Sequence, residues 1–174
     1  MNFHRNSQKR IYVPGLPVFI TTNTYQRFEY FLEDIFCHLL VEEINYAKKI
    51  KNFALIAFKI NPDHVHMVIQ PGTDFNYSNI MQFIKKHTAR NANLIMNTTL
   101  TQKTDDTFPP VEILKKQFIN KHGKQNPFPQ FKWQKSFHSH IISSEEELNR
   151  IKNYIIHQKE KHQLPGNTFL YINE

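Results

Sequence analysis

Cysteine and glycine are scarce in this 174-residue chain, and long apolar runs do not occur. The single cysteine, Cys37, cannot form an intramolecular disulfide, so a cross-linked exported scaffold is not indicated. Four glycines are too few for collagen-like repeats or flexible linker arrays. No stretch approaches the roughly 18 apolar residues of a membrane-spanning helix, and the N-terminus has no signal-like apolar region. We therefore expect one cytoplasmic domain over residues 1–174.

Positive charge is in excess and unevenly distributed. The chain has 22 Lys and Arg against 15 Asp and Glu, a formal net charge of +7. Between Lys115 and Lys135 there are six lysines, no carboxylate and several aromatic rings: Phe118, Phe128, Phe131 and Trp133. Lysines combined with rings suit single-stranded nucleic acid, because phosphates pair with the charges and bases stack on the rings. A solvated loop whose rings pack into the core is the alternative interpretation.

Apolar periodicity predicts alternating strands and helices. In chain order they are a strand at 16–24, a helix at 31–51, strands at 52–60 and 64–70, a helix at 77–96, a strand at 137–142 and a helix at 144–162. Ser144 and Glu147 form a predicted capping box at the start of the last helix. Residues 97–130 are expected to be an irregular insertion, in which residues 111–130 mix a short helical pattern with the proline-containing breaker segment 125–129. This order predicts an α+β, ferredoxin-like (split βαβ) fold, an antiparallel sheet with the helices packed on one face.

Two histidines, His64 and His66, are separated by one residue in a predicted strand. Alternate residues of a strand project from the same face, so both imidazoles could bind one cation, with a third ligand from elsewhere. Alternatively, the two side chains simply lie on a polar sheet face. His138 and His140 form a second such pair, which could be a rival metal site or could contact DNA. The spacing alone does not rank the two pairs.

Tyr154 and Gln158 lie four residues apart on the last predicted helix and therefore on one face of it. A tyrosine can act as a nucleophile on phosphorus when a metal binds the phosphate and reduces the charge barrier. Packing of the ring, with the hydroxyl in water, is the alternative. The chain has six other tyrosines, so spacing alone does not select Tyr154.

Three segments together resemble a known family. Residues 61–69, Asn-Pro-Asp-His-Val-His-Met-Val-Ile, are similar to the His-hydrophobic-His motif of single-tyrosine (Y1) HUH transposases of the IS200/IS605 type. Residues 133–140 resemble the Trp-Gln segment of the REP-associated tyrosine transposases, and residues 145–155 resemble the acidic start and nucleophile helix of that branch. The resemblance runs from about residue 12 to residue 164, with the motifs in the family's order.

The resemblance implies a chemistry and a set of site residues. It implies a divalent cation, Mg or Mn, bound by His64, His66 and Gln158, with Tyr154 as the nucleophile. Enzymes of this family cut single-stranded or hairpin DNA, form a 5′-phosphotyrosine link, leave a free 3′-OH and rejoin strands. We expect the following basic, aromatic and polar residues to contact DNA: Lys85, Lys86, Arg90, Lys132, Trp133, Gln134, Lys135, His138 and His140.

Several alternatives stay open at this point. The Trp-Gln segment and the insertion favour the REP-associated branch, where a monomer is expected, whereas Gln158 favours the insertion-sequence branch. In the latter an obligate homodimer is usual, and the tyrosine helix enters the partner's site. A catalytically inactive, ferredoxin-like protein that binds single-stranded nucleic acid is the main functional alternative. A structural or ligand-binding protein without a DNA partner is a further one.

Overall fold

Strands and helices alternate along the chain in this computed structural model, which describes residues 10–97, 110–123, 125–162 and 169–173. In order, they are β1 (Val18–Asn23), α1 (Asp34–Lys51), β2 (Phe53–Asn61), β3 (His64–Pro71), α2 (Tyr77–Met96), α3 (Pro110–His122), β4 (His138–Ile141), α4 (Glu145–His162) and β5 (Leu170–Ile172). Two short 3-10 turns, Tyr25–Arg27 and Tyr30–Leu32, connect β1 to α1.

The strands form one antiparallel sheet in the order β4-β1-β3-β2-β5. The strand β3 is central, and β2 and β3 are joined by the tight turn that the Asn-Pro-Asp sequence predicts. The helix α1 connects β1 to β2, and α2 and α3 lie between β3 and β4 in sequence. The predicted α+β, ferredoxin-like fold is confirmed. The edge strand β5 was not predicted, because a three-residue strand has too little alternation to recognise.

The main hydrophobic core lies between one face of the sheet and helices α1, α2 and α3. Val18, Ile20, Met67 and Ile69 are buried on this face of β1 and β3. Apolar residues at helical spacing cover them from the helices, among them Phe36, Leu40, Ile44, Ile80, Ile84 and Phe118. These buried stripes explain why the periodicity of residues 31–51 and 77–96 predicts both helices correctly.

Helix α4 covers the opposite face of the sheet. Phe19 and Val68 alternate with the core residues of β1 and β3, and they belong to a second apolar cluster with Ala57 of β2. The α4 members of this cluster are Leu148, Ile151, Tyr154 and Ile155. The expectation that all helices share one face is therefore corrected. The apolar stripe of α4 was identified, but the stripe does not specify which face of the sheet it contacts.

The predicted insertion at 97–130 contains regular structure. Val111, Leu114 and Phe118 of α3 are buried against the main core, so residues 110–122 are helical rather than irregular. Phe131 is also buried, which supports the core interpretation for part of the lysine-aromatic run. Residues 98–109 and Lys124 lie outside the described residues. Among the helices that are described, none is long and apolar enough to cross a membrane.

Glu33 attaches α3 to the start of α1. Its side chain is 5% exposed, and its two carboxylate oxygens accept hydrogen bonds from Lys121 Nζ and His122 Nε2, both at 2.9 Å. Burial by itself would raise the pKa of the Glu33 carboxyl, but the hydrogen bonds from Lys121 and His122 outweigh burial and lower the pKa. The ionised form of Glu33 therefore stabilises the folded state.

A Glu33→Gln variant is expected to unfold with a free energy about 2 kcal/mol lower at pH 7, because two charge-assisted hydrogen bonds are weakened. The folded-state pKa lies below the unfolded value, so this difference should be present above pH 4.5 and diminish as the pH falls further. Urea unfolding at pH 7 and at acid pH measures this difference in the free energy of unfolding. Glu112→Gln, at an exposed position on α3, is the matched control. Equal decreases in the free energy of unfolding for Glu33→Gln and Glu112→Gln would contradict this role of Glu33.

Candidate active site

The two histidines of β3 face α4. His64 and His66 lie on the same side of the strand as Val68, which contacts the α4 cluster, and their ring centroids are 4.8 Å apart. The His66 side chain is buried, with 5% exposure. The strand geometry thus brings the two imidazoles together on one face, as the His-x-His spacing predicts.

Each imidazole is oriented through its Nδ1 atom. The His64 Nδ1 lies 2.6 Å from Asp63 Oδ1, and the His66 Nδ1 lies 2.8 Å from Thr21 Oγ1. A carboxylate beside Nδ1 favours the tautomer that keeps a lone pair on Nε2 of His64. Metal-binding histidines commonly have such a partner on the other ring nitrogen. The Nε2 atoms of both rings are consequently directed toward α4.

Gln158 of α4 closes this arrangement. Its amide nitrogen lies 2.7 Å from His66 Nε2 and 3.3 Å from His64 Nε2, and the side chain is 2% exposed. Asn61 Nδ2 donates to Gln158 Oε1 at 3.0 Å. Amide oxygen and nitrogen are assigned from such networks, and turning over both amides keeps their mutual hydrogen bond while directing Gln158 Oε1 at the imidazoles.

The donor set fits a divalent cation. The Nε2 atoms of both imidazoles lie within hydrogen-bonding distance of the Gln158 amide group. With that amide turned over, two imidazole nitrogens and one amide oxygen would face one another, and these ligand types suit Mn and comparable ions with positions left for substrate oxygens. In the ranges that the structure describes, no group of three or more His, Cys, Asp and Glu side chains could hold a metal. A third protein ligand would therefore have to be of another type, and the amide of Gln158 lies next to both imidazoles.

Tyr154 lies one helical turn before Gln158, on the same side of α4. Its ring centroid is 5.6 Å from that of His66 and 6.3 Å from that of Phe19. Tyr154 and His66 line a pocket of about 460 Å³, whose other residues include Thr21, Asn23, Arg27, Asp63, His64 and Gln158. The tyrosine and the histidine pair thus come from one chain and face the same pocket.

Helix α4 is anchored at both ends of its pocket-facing segment. Ser144 Oγ accepts a hydrogen bond from Glu147 N at 3.2 Å, as the predicted capping box requires, while the Glu147 carboxylate accepts from Ser143 N at 2.8 Å. Near Tyr154, the buried Lys59 donates to the backbone oxygen of Ile156 at 3.5 Å. These contacts, with the apolar stripe, hold α4 over the histidine pair.

The second histidine pair lies on the same sheet face but beyond β1. Thr21 pairs with both His66 and His138 in register, so one strand separates the two pairs. Both His138 and His140 are exposed, and His140 Nε2 lies 2.6 Å from Glu147 Oε1. The hydrogen bond from His140, followed by that from Ser143 N, lowers the pKa of Glu147 to about 2. His140 thus contacts the start of α4.

The residues predicted to contact DNA occupy different places. Gln134 lies at the rim of the pocket, where its side-chain oxygen accepts a hydrogen bond from Asn23 Nδ2 at 3.1 Å. Lys132 and Lys135 flank it and are exposed, whereas Trp133 is half-buried against Phe31 and Phe131. The α2 residues Lys86 and Arg90 are exposed on the helix layer that lies across the sheet from Tyr154.

Lys85, another residue predicted to contact DNA, forms hydrogen bonds within the protein. Its ammonium donates to the backbone oxygens of Gln134 at 2.6 Å and Ser136 at 3.1 Å, so it attaches α2 to the loop at the pocket rim. Burial, followed by the positive charge of Arg10, lowers the pKa of Lys85 to about 8. These contacts occupy the ammonium in the structure.

Several pocket residues were not identified from the sequence. Thr21 and Asn23 were seen only as strand residues, and Asp63 only as part of a turn. Arg27 lies in a short 3-10 turn for which the sequence shows no pattern. The position of Asp63 directly before a His-x-His motif was the one signal that could have indicated a carboxylate partner.

The fold and this pocket define an α+β domain in which a helix-borne tyrosine faces a strand-borne histidine pair. A family model described as "Transposase IS200 like" matches residues 17–108, more than half of the chain and including His64 and His66. The chain therefore belongs to the single-tyrosine, IS200-like transposase family. No curated protein matches it.

Two solved structures match most of this chain. One is a REP-associated tyrosine transposase bound to a REP hairpin, with a TM-score of 0.58, 21% identity, and coverage of 90% of this chain and 74% of that chain. The other is a proposed transposase from Deinococcus radiodurans R1, with a TM-score of 0.48, 17% identity, and coverage of 88% and 98%. At such low identity the first similarity establishes a common fold.

Proposed function

We propose that this protein is a metal-dependent transposase that cleaves and rejoins single-stranded or hairpin DNA through a 5′-phosphotyrosine intermediate on Tyr154. One observation carries the proposal: the ring of Tyr154 lies 5.6 Å from that of His66 in a pocket that also contains His64 and Gln158. A tyrosine beside a metal-ligand set is what in-line attack on a phosphodiester requires.

Each pocket residue has a defined role in this proposal. His64, His66 and Gln158 would hold Mg or Mn, which would polarise the scissile phosphate. The Tyr154 hydroxyl attacks phosphorus and forms a new P–O bond, and the bond from phosphorus to the 3′-oxygen breaks. The proton lost by Tyr154 is balanced by the proton gained at the 3′-oxygen, which leaves as a free 3′-OH. Because the covalent link keeps the phosphodiester energy, rejoining needs no nucleotide cofactor.

One chain supplies both parts of the proposed active site, since Tyr154 and the histidine pair line the same pocket. This arrangement favours a tyrosine acting in cis. A homodimer that exchanges α4 between subunits is the alternative, and the mixing experiment described in the Discussion distinguishes the two.

A DNA partner is consistent with the charge and with the family. The net charge of +7 suits a polyanion, and the exposed Lys132 and Lys135 lie on either side of Gln134 at the pocket rim. The structure of the REP-associated tyrosine transposase contains a bound REP hairpin. We therefore propose hairpin DNA with a single-stranded flank as the substrate class.

Wild-type protein incubated with Mn and a DNA hairpin labelled at its 3′ end is expected to give a labelled protein that survives a denaturing gel. The label follows the 5′-phosphate onto Tyr154, whereas the fragment with the free 3′-OH is unlabelled. EDTA should abolish the adduct, and Mn added in excess should restore it. A fully paired, blunt duplex is the control substrate. The same adduct yield with EDTA would contradict a metal-dependent reaction.

The functional alternative is a binding protein without catalysis. It predicts salt-dependent DNA binding, because phosphate contacts release counterions, but no adduct with any hairpin substrate. Binding that does not weaken as salt rises would instead indicate a protein without a DNA partner.

A further inference from the structure

Arg27 lies in an unusual turn beside the pocket. Gln26 and Arg27 both have left-handed backbone angles, with φ of 54° and 58°. Two consecutive non-glycine residues in this region are uncommon and strained. The turn is held from both sides, because Thr24 N donates to Asp63 O at 2.9 Å and Tyr25 N donates to Lys132 O at 2.8 Å.

The Arg27 guanidinium is oriented by two pocket residues. Its Nε lies 2.7 Å from Asp63 Oδ2, and its Nη1 donates to Asn23 Oδ1 at 2.6 Å. The other oxygen of Asp63 lies 2.6 Å from His64 Nδ1, so one carboxylate connects the guanidinium to a predicted metal ligand. Asn23 is itself fixed by its hydrogen bond to Gln134.

The third nitrogen of the Arg27 guanidinium, Nη2, takes no part in these two contacts. Both contacts use Nε and Nη1, and among the described residues Nη2 has no hydrogen bond of its own. The side chain is 54% exposed and lines the same pocket as Tyr154 and His64. The Nη2 group carries two N–H donors, which can form charge-assisted hydrogen bonds with phosphate oxygens.

A purely structural ion pair does not account for this arrangement. An Arg–Asp pair whose arginine is 54% exposed stabilises a fold little. The left-handed backbone at Gln26 and Arg27 costs more than such a pair returns. Strain that is retained beside a candidate catalytic pocket instead indicates a side chain positioned for a ligand.

We propose that Arg27 binds a backbone phosphate of the single-stranded DNA segment that enters the pocket beside Tyr154. This inference rests on the proposed function and adds a substrate-binding residue to it. The pocket would then hold the strand between the guanidinium on one side and the histidine pair on the other. Asp63, which contacts both Arg27 and His64, would keep the guanidinium and the histidine pair at a constant separation.

The test uses binding rather than cleavage, in the full-length Tyr154→Phe background. The probe is a fluorescein-labelled DNA hairpin with a single-stranded arm, in which one arm phosphate at a time is replaced by an uncharged methylphosphonate. Adding Arg27→Gly should raise the dissociation constant of the unmodified probe roughly tenfold, because one charge-assisted contact to a phosphate is lost. At one arm position the methylphosphonate should weaken binding by the Arg27-containing protein by a similar factor and leave the Arg27→Gly protein unchanged.

Glycine is the informative replacement because it adopts a positive φ without strain. The Arg27→Gly protein should therefore have a melting temperature equal to or above that of the parent. Arg150→Ala, at an exposed arginine of α4, is the matched control and should keep the methylphosphonate effect. A melting temperature far below the parent's would overturn the proposal, since it would assign Arg27 a structural role.

The outcomes separate this inference from the proposed function. The Arg27 assignment would be overturned, even if wild-type protein forms the adduct, in two cases: if Arg27→Gly leaves the DNA affinity unchanged, or if Arg27→Gly and the methylphosphonate weaken binding additively at every arm position. If the methylphosphonate at one position has no further effect in Arg27→Gly, the Arg27 assignment is supported even when wild-type protein forms no adduct. Only the proposed catalysis would then fail. A Tyr154→Phe parent that does not bind the hairpin would overturn both.

Discussion

Tyr154→Phe is expected to abolish the covalent DNA adduct, with a loss of roughly 10³-fold or more in strand cleavage, because the attacking oxygen is removed. The variant keeps the aromatic ring, which contacts His66 and Phe19 with centroid distances of 5.6 and 6.3 Å. The fold and the affinity for hairpin DNA should therefore change little. Adduct formation on a denaturing gel, fluorescence anisotropy and thermal melting measure the three properties.

Tyr46→Phe is the matched control for this experiment. Tyr46 lies on α1, in the helix layer on the opposite face of the sheet, and its ring centroid is 5.9 Å from that of Phe83. This variant should form the adduct as wild type does. An adduct that persists in Tyr154→Phe would mean that another residue is the nucleophile. The pocket would then be a binding site rather than a catalytic one.

A His64→Ala/His66→Ala double variant is expected to lose cleavage and to bind Mn at least 100-fold more weakly, because two of the three predicted ligands are removed. Isothermal titration with Mn gives a readout that does not depend on activity. His66 is buried and contacts Thr21 and Gln158, so we also expect a lower free energy of unfolding, by about 1–3 kcal/mol.

The second histidine pair supplies the matched control. His138→Ala/His140→Ala also removes two imidazoles from this sheet face, but β1 separates this pair from His66. This variant should bind Mn as wild type does. Loss of Mn binding in the His138/His140 variant, with retention in the His64/His66 variant, would assign the metal to the other pair.

Mixing the two inactive variants tests whether the tyrosine acts in cis. Tyr154→Phe retains the histidine pair and the double histidine variant retains the tyrosine. If one chain forms a complete site, as the geometry supports, a mixture of the two should remain inactive. Recovery of part of the wild-type adduct would show that α4 is exchanged between subunits of a dimer.

Local patterns predicted most of the elements because their causes are local. The stripes of residues 31–51 and 77–96 record burial on one side of a helix, and α1 and α2 are observed where the stripes lie. The helix α3 was only partly recognised, since its buried residues, among them Phe118, are surrounded by lysines that suggested a nucleic-acid segment. Burial depends on packing against α1 and α2, which a local pattern does not contain.

The repeat of the backbone is enough to place His64 and His66 on one strand face and Tyr154 and Gln158 on one helix face. That these two faces meet, with Gln158 Nε2 at 2.7 Å from His66 Nε2, follows from the packing of α4 on the sheet. An apolar stripe requires a partner but does not specify which side of the sheet provides it. The positions of Thr21, Arg27 and Asp63 around the pocket likewise depend on the pairing of β1 with β3 and on the turn that follows β1.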